Sequence, residues 1–391
     1  TSAHQRRGVS FALAEAELVW SQILTDAVEG ELQPVYGTER RWAEQLPSVI
    51  INPPSSSDLA RYWMPMLGLY PVRGCPYRCN YCSIIKISGR QVRSPDIETT
   101  LESLRRAKRG GVEMIMFVSD NFNKFPQVRE LLQAMIDERL GLRFFCQCDT
   151  QIAKDPELVE LLGRARCFEM FVGVESFNRT TLKTVGKYHN HPEHYAEIVR
   201  LCDKAGIRPH FSNIIGFPSD DEEEINHHLD VLKTLRPKAV SFYILCPIPG
   251  TEQYDEYRKK GWITERNLDR FDTTCLTWSH PNLSRDRLED LLYNCYVSYY
   301  GFLLRTGGLT DEDRRGAIFS RHAVAQRRHP MAGGIDRSRV DCAADYATLR
   351  RAVYDIDLVP LPDSLPLSAH DEALNSRADW RTKRIEVHAS L

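Results

Sequence analysis

From Leu67 to Gly250 short apolar runs alternate with amphipathic stretches. The runs are LGLYPV (67–72), VEMIMFVSD (112–120), LRFFCQCD (142–149), FEMFVGVES (168–176), IRPHFSNIIGFP (207–218) and VSFYILCPIPG (240–250). Each is rich in Val, Ile, Phe or Tyr and ends in turn residues, the pattern of a buried strand. Between them the 3.6-residue periodicity predicts helices over 96–109, 125–138, 155–164, 192–206 and 220–235. Asp155-Pro156 and Ser219-Asp220 stand as start signals before acidic first turns. Strands alternating with helices make parallel βαβ units. Six such units predict an α/β fold of the open-barrel kind, a partial (β/α)6 barrel two units short of the closed form.

The flanks read differently. ALAEAELVWSQILTDAV (12–28) predicts an amphipathic helix, and Asn52–Asp58 reads as a Pro/Ser-rich linker. After Arg266 the alternation stops. Leu283–Leu304 predicts a helix whose aromatic stripe reads as core, and Pro becomes frequent over 345–367. The expected division is a short N-terminal helical segment (1–64), the barrel (65–265) and a mainly helical C-terminal extension (266–391).

Composition narrows the function. Lys and Arg number 51 against 53 Asp and Glu in 391 residues, a net charge of −2, so there is no chain-wide electrostatic pull toward nucleic acid. Arg327, Arg328 and His329 form too short a basic patch to change that. No apolar run reaches the roughly 18 residues of a membrane span, and no basic-then-apolar leader opens the chain. A cytoplasmic protein is expected. The chain starts at Thr1 rather than Met, as a fragment or a processed form does.

Eleven cysteines are present. Cys146, Cys148, Cys167, Cys202, Cys246, Cys275 and Cys295 sit in apolar or amphipathic segments, where a free thiol acts as a small hydrophobe; Cys342 is isolated. Cys75, Cys79 and Cys82 instead crowd into Arg-Gly-Cys-Pro-Tyr-Arg-Cys-Asn-Tyr-Cys-Ser, just after the first strand. In such barrels chemistry sits at the C-terminal ends of strands. A structural zinc site needs a fourth ligand nearby, and Cys146 and Cys148 are far down the chain. Three thiolates with one position open suit an iron–sulfur cube. A zinc knuckle with a distant fourth ligand, or three structural cysteines, is the alternative.

Cys-x-x-x-Cys-x-x-Cys after the first strand of a six-unit barrel resembles the radical S-adenosylmethionine (radical SAM) superfamily, over about residues 65–262. The resemblance implies a [4Fe-4S] cluster on Cys75, Cys79 and Cys82, with its open iron chelating S-adenosylmethionine. One-electron reduction then yields a 5′-deoxyadenosyl radical that takes hydrogen from an unactivated carbon. Tyr81 matches the aromatic residue that packs by the adenine. Asp120, in Val-Ser-Asp-Asn-Phe, stands where the family usually has a Gly-Gly-Glu-like segment for the methionine moiety. Glu175, in Gly-Val-Glu-Ser, matches the residue that holds the ribose. Asn213, Gly216 in Gly-Phe-Pro, and Pro249 in Pro-Ile-Pro-Gly-Thr match segments bordering the adenine and the barrel mouth. Simple turn chemistry is the alternative for the last two.

The helix over 14–20 resembles the end of the cobalamin-binding domain that precedes the barrel in one subgroup, although the Asp-x-His-x-x-Gly motif of that domain is absent. Cobalamin is therefore an expected cofactor of one reading, with carbon methylation as the outcome; rearrangement, cyclisation or oxidation follows without it. A non-enzymatic iron–sulfur sensor is a third reading. The implied partners are a small-molecule or natural-product substrate and a one-electron donor such as flavodoxin or ferredoxin. No cysteine precedes Cys75, unlike the methylthiotransferases, and a single cluster is expected. On strand three, alternation sets Cys146 and Cys148 against Gln147 and Asp149, so one pair alone faces inward. His189, His191 and His194 read either as a metal tract or as a solvated helix start.

Overall fold

The computed structural model describes residues 9–38, 42–61, 65–265, 270–314 and 316–317. Cys342, the Arg327–His329 patch and the Pro-rich 345–367 stretch lie outside them. The chain divides into two compact units: Thr1–Trp42 with Glu265–Asp269 and Arg339–Leu391, and Ala43–Thr264 with Arg270–Ser338. In the first, the predicted amphipathic helix runs Ala16–Glu29 and ends at Gly30, whose left-handed backbone lets its N–H reach the Asp26 carbonyl. Two short strands, Phe11–Ala12 and Val35–Tyr36, pair in parallel, and the Tyr36 hydroxyl donates to Asp26 at 2.6 Å.

The second unit is built on one parallel sheet. Its strands are β1 (Met66–Leu69), β2 (Met114–Phe117), β3 (Arg143–Cys148), β4 (Cys167–Glu175), β5 (Arg208–Ile215) and β6 (Ala239–Ile244). They are hydrogen-bonded in sequence order. The intervening helices include α1 (Ile97–Arg109), α2 (Val128–Asp137), α3 (Pro156–Arg164), α4 (Arg179–Thr184), α5 (Tyr195–Ala205), α6 (Glu222–Leu235) and α7 (Glu252–Lys259). This is the partial (β/α)6 barrel that the alternation of runs predicts. Carboxylates start the helices: Asp96 accepts from Thr99 N–H, Asp155 caps α3 with Pro156 in its first turn, and Asp221 caps α6. The α6 cap thus falls one residue beyond the Ser219-Asp220 signal. The short helix α4 carries no periodicity of its own and escapes sequence reading.

Alternation sorts each strand. Ile115, Phe117, Phe144, Cys146, Met170, Val172 and Phe211 are fully buried in the layer beneath the helices. On β3 it is therefore the Cys146–Cys148 pair that enters this core. Cys146 lies 3.7 Å from Cys167, sulfur to sulfur. The opposite positions of β4 to β6 face the lumen and are more polar: Glu169, Arg208, His210 and Ser241 form one hydrogen-bonded chain there.

Residues 43–61 bond to the barrel, with Ser103 Oγ receiving the Ile51 N–H and Arg106 donating to Asn52. At the other end of the sheet lies α8 (Arg285–Thr306), and its aromatic stripe has a specific task. Tyr296 and Tyr300, four residues apart and so on one face, each donate to a β6 carbonyl and accept from the same residue's N–H, at Phe242 and Val240 respectively. The phenols satisfy the unpaired edge that an open barrel leaves exposed. Among the described residues no helix is long and apolar enough to cross a membrane.

Candidate active site

The cysteine loop follows β1 at the C-terminal mouth of the barrel and is tied down on every side. Gly74 has a φ of +96°, and a Cβ there would lie 2.1 Å from the Gln91 carbonyl oxygen, so only glycine lets the loop turn this closely. Cys75 N–H donates to the Gly89 carbonyl, Asn80 N–H to the Val185 carbonyl, and Gln253 N–H to the Asn80 carbonyl. Segments after β1, β4 and β6 thereby hold one loop.

Within it Cys79 is buried, while Cys75 and Cys82 are partly buried. Burial pushes all three thiols up, Cys79 to about 11; Cys82 and Cys75 add to the shift of Cys79, and Cys75 adds to that of Cys82. Such thiols stay protonated and inert until a metal displaces the proton. Asn121 donates to Cys75 Sγ at 3.6 Å, a contact that favours the thiolate. Among the described residues no three His, Cys, Asp or Glu are grouped as they would be around a single metal ion.

Glu175 ends β4 where the register with β5 shifts, and its φ of +63° is unusual for a side chain with a Cβ. Its carboxylate accepts from Lys187 at 2.8 Å and from Ser212 at 3.0 Å. Both charged side chains are about 10% exposed. Gly173 makes room: a Cβ there would stand 2.7 Å from the carboxylate and 3.0 Å from the ammonium. Burial opposes the Lys187 charge, but Glu175 and the neighbouring cysteines outweigh it and the net shift is upward. Lys187 also reaches the Tyr81 hydroxyl at 3.4 Å. Cys79, Cys82, Tyr81, Glu175, Lys187 and Ser212 thus form one cluster. Sequence reasoning missed Lys187 and Ser212; a lysine in a polar stretch has no local mark of burial. Asn190 was missed too. It is fully buried and donates to the Gly173 and Val174 carbonyls, pinning the end of β4.

The other expected residues fall in distinct places. Asp120 accepts from the Tyr70 hydroxyl at 2.7 Å and from Gly74 N–H at 3.3 Å, so it braces the loop from the β2 side. Asn213 stands beside Glu175 in the β4–β5 register, with its side-chain oxygen buried and unpartnered. Pro249 is exposed in the loop before α7. Asp149 is spent as the cap of the turn after β3, accepting from Gln151 N–H. Of the histidines, His189 stacks on Tyr77 at 3.4 Å between ring centres, and burial pulls its imidazole down to about 3. His191 pairs with Glu193.

Gly216 is explained by packing. Its φ is +78°, and a Cβ would meet Leu288 at 2.5 Å. Its N–H and that of Phe217 donate to the buried carboxyl of Asp220, whose second oxygen is unpartnered. Burial pushes Asp220 up to about 7 from 3.8. The folded chain then keeps a proton that the unfolded chain releases, so stability falls as pH rises from about 4 to about 7, by up to about 4 kcal/mol. Urea unfolding at several pH values is expected to show this loss, and Asp220→Asn is expected to remove it.

The fold and this mouth define a class: a partial parallel barrel that presents three thiols on a braced loop beside a buried carboxylate–ammonium pair. The chain is matched over residues 69–232 by the family model described as the Radical SAM superfamily. It is 26% identical over 288 residues to the bacteriochlorophyllide d C-12(1)-methyltransferase of Chlorobaculum tepidum, covering 71% of this chain and 61% of that one. It is 27% identical over 261 residues to the hopanoid C-2 methylase of Rhodopseudomonas palustris, covering 64% and 49%. The solved structure of OxsB, described as a cobalamin-dependent S-adenosylmethionine radical enzyme with aqua-cobalamin and S-adenosylmethionine bound, shares the fold. Its TM-score is 0.53 at 15% identity, over 93% of this chain and 61% of that one. The chain spans about half to two thirds of the length of these relatives.

Proposed function

We propose that this chain is a radical SAM enzyme that cleaves S-adenosylmethionine reductively and modifies an unactivated carbon of a small molecule, with carbon methylation as the outcome. The reading rests on the three thiols held on one loop at the barrel mouth. The donor set fits the implied cofactor: Cys75, Cys79 and Cys82 would hold three irons of a [4Fe-4S] cluster. The buried, unpartnered oxygens of Asn80, Asn121, Asn213 and Gln253 are polar groups in want of a ligand or water. When bound, the cluster and S-adenosylmethionine supply a 5′-deoxyadenosyl radical.

The chain's own residues do the rest. Asn121 and the bracing hydrogen bonds fix the thiols, and Lys187 sets a positive charge beside them. Glu175, fixed by Lys187 and Ser212, offers the acceptor oxygens that suit a ribose diol. Tyr81 sets its ring next to that pair for an adenine, and Asn213 adds an acceptor at the same level. Asp120 we assign to holding the loop. Methylation is favoured by the names of the two relatives. The sequence has no Asp-x-His-x-x-Gly motif, so no residue of it is assigned to cobalamin, and no step is routed through one. A reducing cytoplasm and a low-potential one-electron donor suit free thiols of this kind.

The test is anaerobic reconstitution with iron and sulfide, followed by dithionite and S-adenosylmethionine. Formation of 5′-deoxyadenosine is expected. Bound iron and sulfide without 5′-deoxyadenosine would support the sensor reading, and bound zinc without sulfide would remove the cluster altogether. Cobalt analysis of the cellular product separates the cobalamin-dependent outcome from the others.

A further inference from the structure

Charge along the chain is balanced, yet around the cysteine loop it is not. Residues 70–95 hold Arg73, Arg78, Lys86, Arg90 and Arg93, and residues 176–192 hold Arg179, Lys183 and Lys187. Neither segment contains an Asp or Glu, whereas the chain's average content would place about six in a stretch of that total length. The tertiary fold lays the two segments together. Asn80 N–H donates to the Val185 carbonyl, and a Cβ on Gly186 would lie 2.5 Å from the Arg78 carbonyl oxygen and 3.7 Å from Cys79 Cα.

Some of these cations have internal work. Lys187 pairs with Glu175, Arg93 is buried against the Ala43 and Ser88 carbonyls, and Arg179 donates to the Tyr188 carbonyl. Arg78, Lys86, Arg90 and Lys183 are exposed, Arg90 with one donor on the Pro76 carbonyl. A cation facing solvent is screened and contributes little to neutralising a buried centre. Two large apolar side chains stand among them, Ile87 at 64% and Tyr188 at 65% exposure. On the far side the face is bounded by α7, whose Glu252 and Asp255 are exposed and whose Gln253 N–H holds the loop.

We infer that this cationic face, formed by the cysteine loop with its following turn and by the 176–192 segment, is the docking surface for an acidic one-electron carrier protein. The inference rests on the reading of the three cysteines as a redox centre. Exposed cations on the same two segments as two exposed apolar side chains steer an acidic partner and then seat it. The face carries Cys79 in its own backbone, so a carrier docked there lies against the loop that holds the thiols. One electron leaves the reduced carrier and one is taken up at the three-cysteine centre; no proton or group moves between the proteins.

The test uses the reconstituted chain and the double variant Lys86→Glu/Lys183→Glu, with an acidic flavodoxin as probe. Binding of the oxidised carrier, followed by fluorescence anisotropy, is expected to weaken about tenfold at low ionic strength, with parent and variant converging in high salt. Dithionite-driven formation of 5′-deoxyadenosine is expected to be equal in both, and carrier-driven formation reduced in the variant. Equal, salt-insensitive affinities overturn the docking surface. So does unchanged carrier binding with lost retention of RNA, which would give the face to a nucleic acid. If dithionite yields no 5′-deoxyadenosine even in the parent, the enzymatic reading fails, and the binding measurement still decides the surface.

Discussion

Cys79→Ala is expected to abolish bound iron and sulfide after anaerobic reconstitution and to take S-adenosylmethionine cleavage to background, with the barrel intact. Cys79 is the buried member of the trio, and the residue after it is hydrogen-bonded on both sides, to Val185 and Gln253. On the proposed reading, loss of an iron ligand should exceed the roughly 10- to 100-fold cost typical of removing a group that hydrogen-bonds to a ligand, so a fall of more than about two orders of magnitude in cleavage is expected. The core beneath the helices does not depend on the loop, and circular dichroism should be unchanged. Iron content equal to the parent's would take Cys79 out of the ligand set. Asn121→Ala is the internal comparison. It removes only the donor to Cys75, and a partial loss is the expected result.

The second large effect concerns stability. Lys187→Met should destabilise the folded chain by about 3 kcal/mol, because it leaves the Glu175 carboxylate buried with Ser212 as its remaining partner. The methionine keeps the packing of the stem and removes only the charge. Lys187→Met/Glu175→Gln should recover most of the loss, since a neutral amide needs no counter-ion and can still accept from Ser212. Urea denaturation of the four proteins of this cycle measures the coupling directly. If the single variant is as stable as the parent, water rather than Lys187 compensates the carboxylate. The upward shift of Lys187 also fixes a sign. A lysine that gains a partner contributes stability below its unfolded pKa and loses it as pH rises through its folded pKa, so this contribution should persist through neutral pH and fail only in strong alkali.

Much of the barrel was legible because parallel strands are covered on both faces and so appear as unbroken apolar runs. Each predicted run overlaps one observed strand, and the predicted helices follow from period and caps. The three cysteines were legible for another reason. Their spacing is local, and thiols, glycine and proline within eleven residues leave few readings. The helix over 285–306 was expected as core, but its tyrosines are more specific than that. They terminate the sheet edge at β6, a need that arises only when the barrel fails to close.

Less visible was everything that depends on distant segments meeting. Lys187 is separated from Tyr81 by 106 positions, and nothing around it in the chain announces burial. The Gly-Phe-Pro turn matched a cofactor-bordering segment, yet Gly216 is also required by Leu288 and by a buried carboxyl at Asp220. The histidine tract resolves into one ring stacked on Tyr77 and another paired with Glu193.

The amino-acid sequence alone determined that this protein is a βα barrel with three thiols placed after its first strand, because hydrophobic period and short-range ligand spacing are properties of neighbouring residues. Tertiary structure decided which carboxylate is buried with which cation, which strand face holds the cysteine pair, and how two acid-free segments merge into one positive face. Those outcomes depend on distances through space, which a linear pattern of residues does not encode.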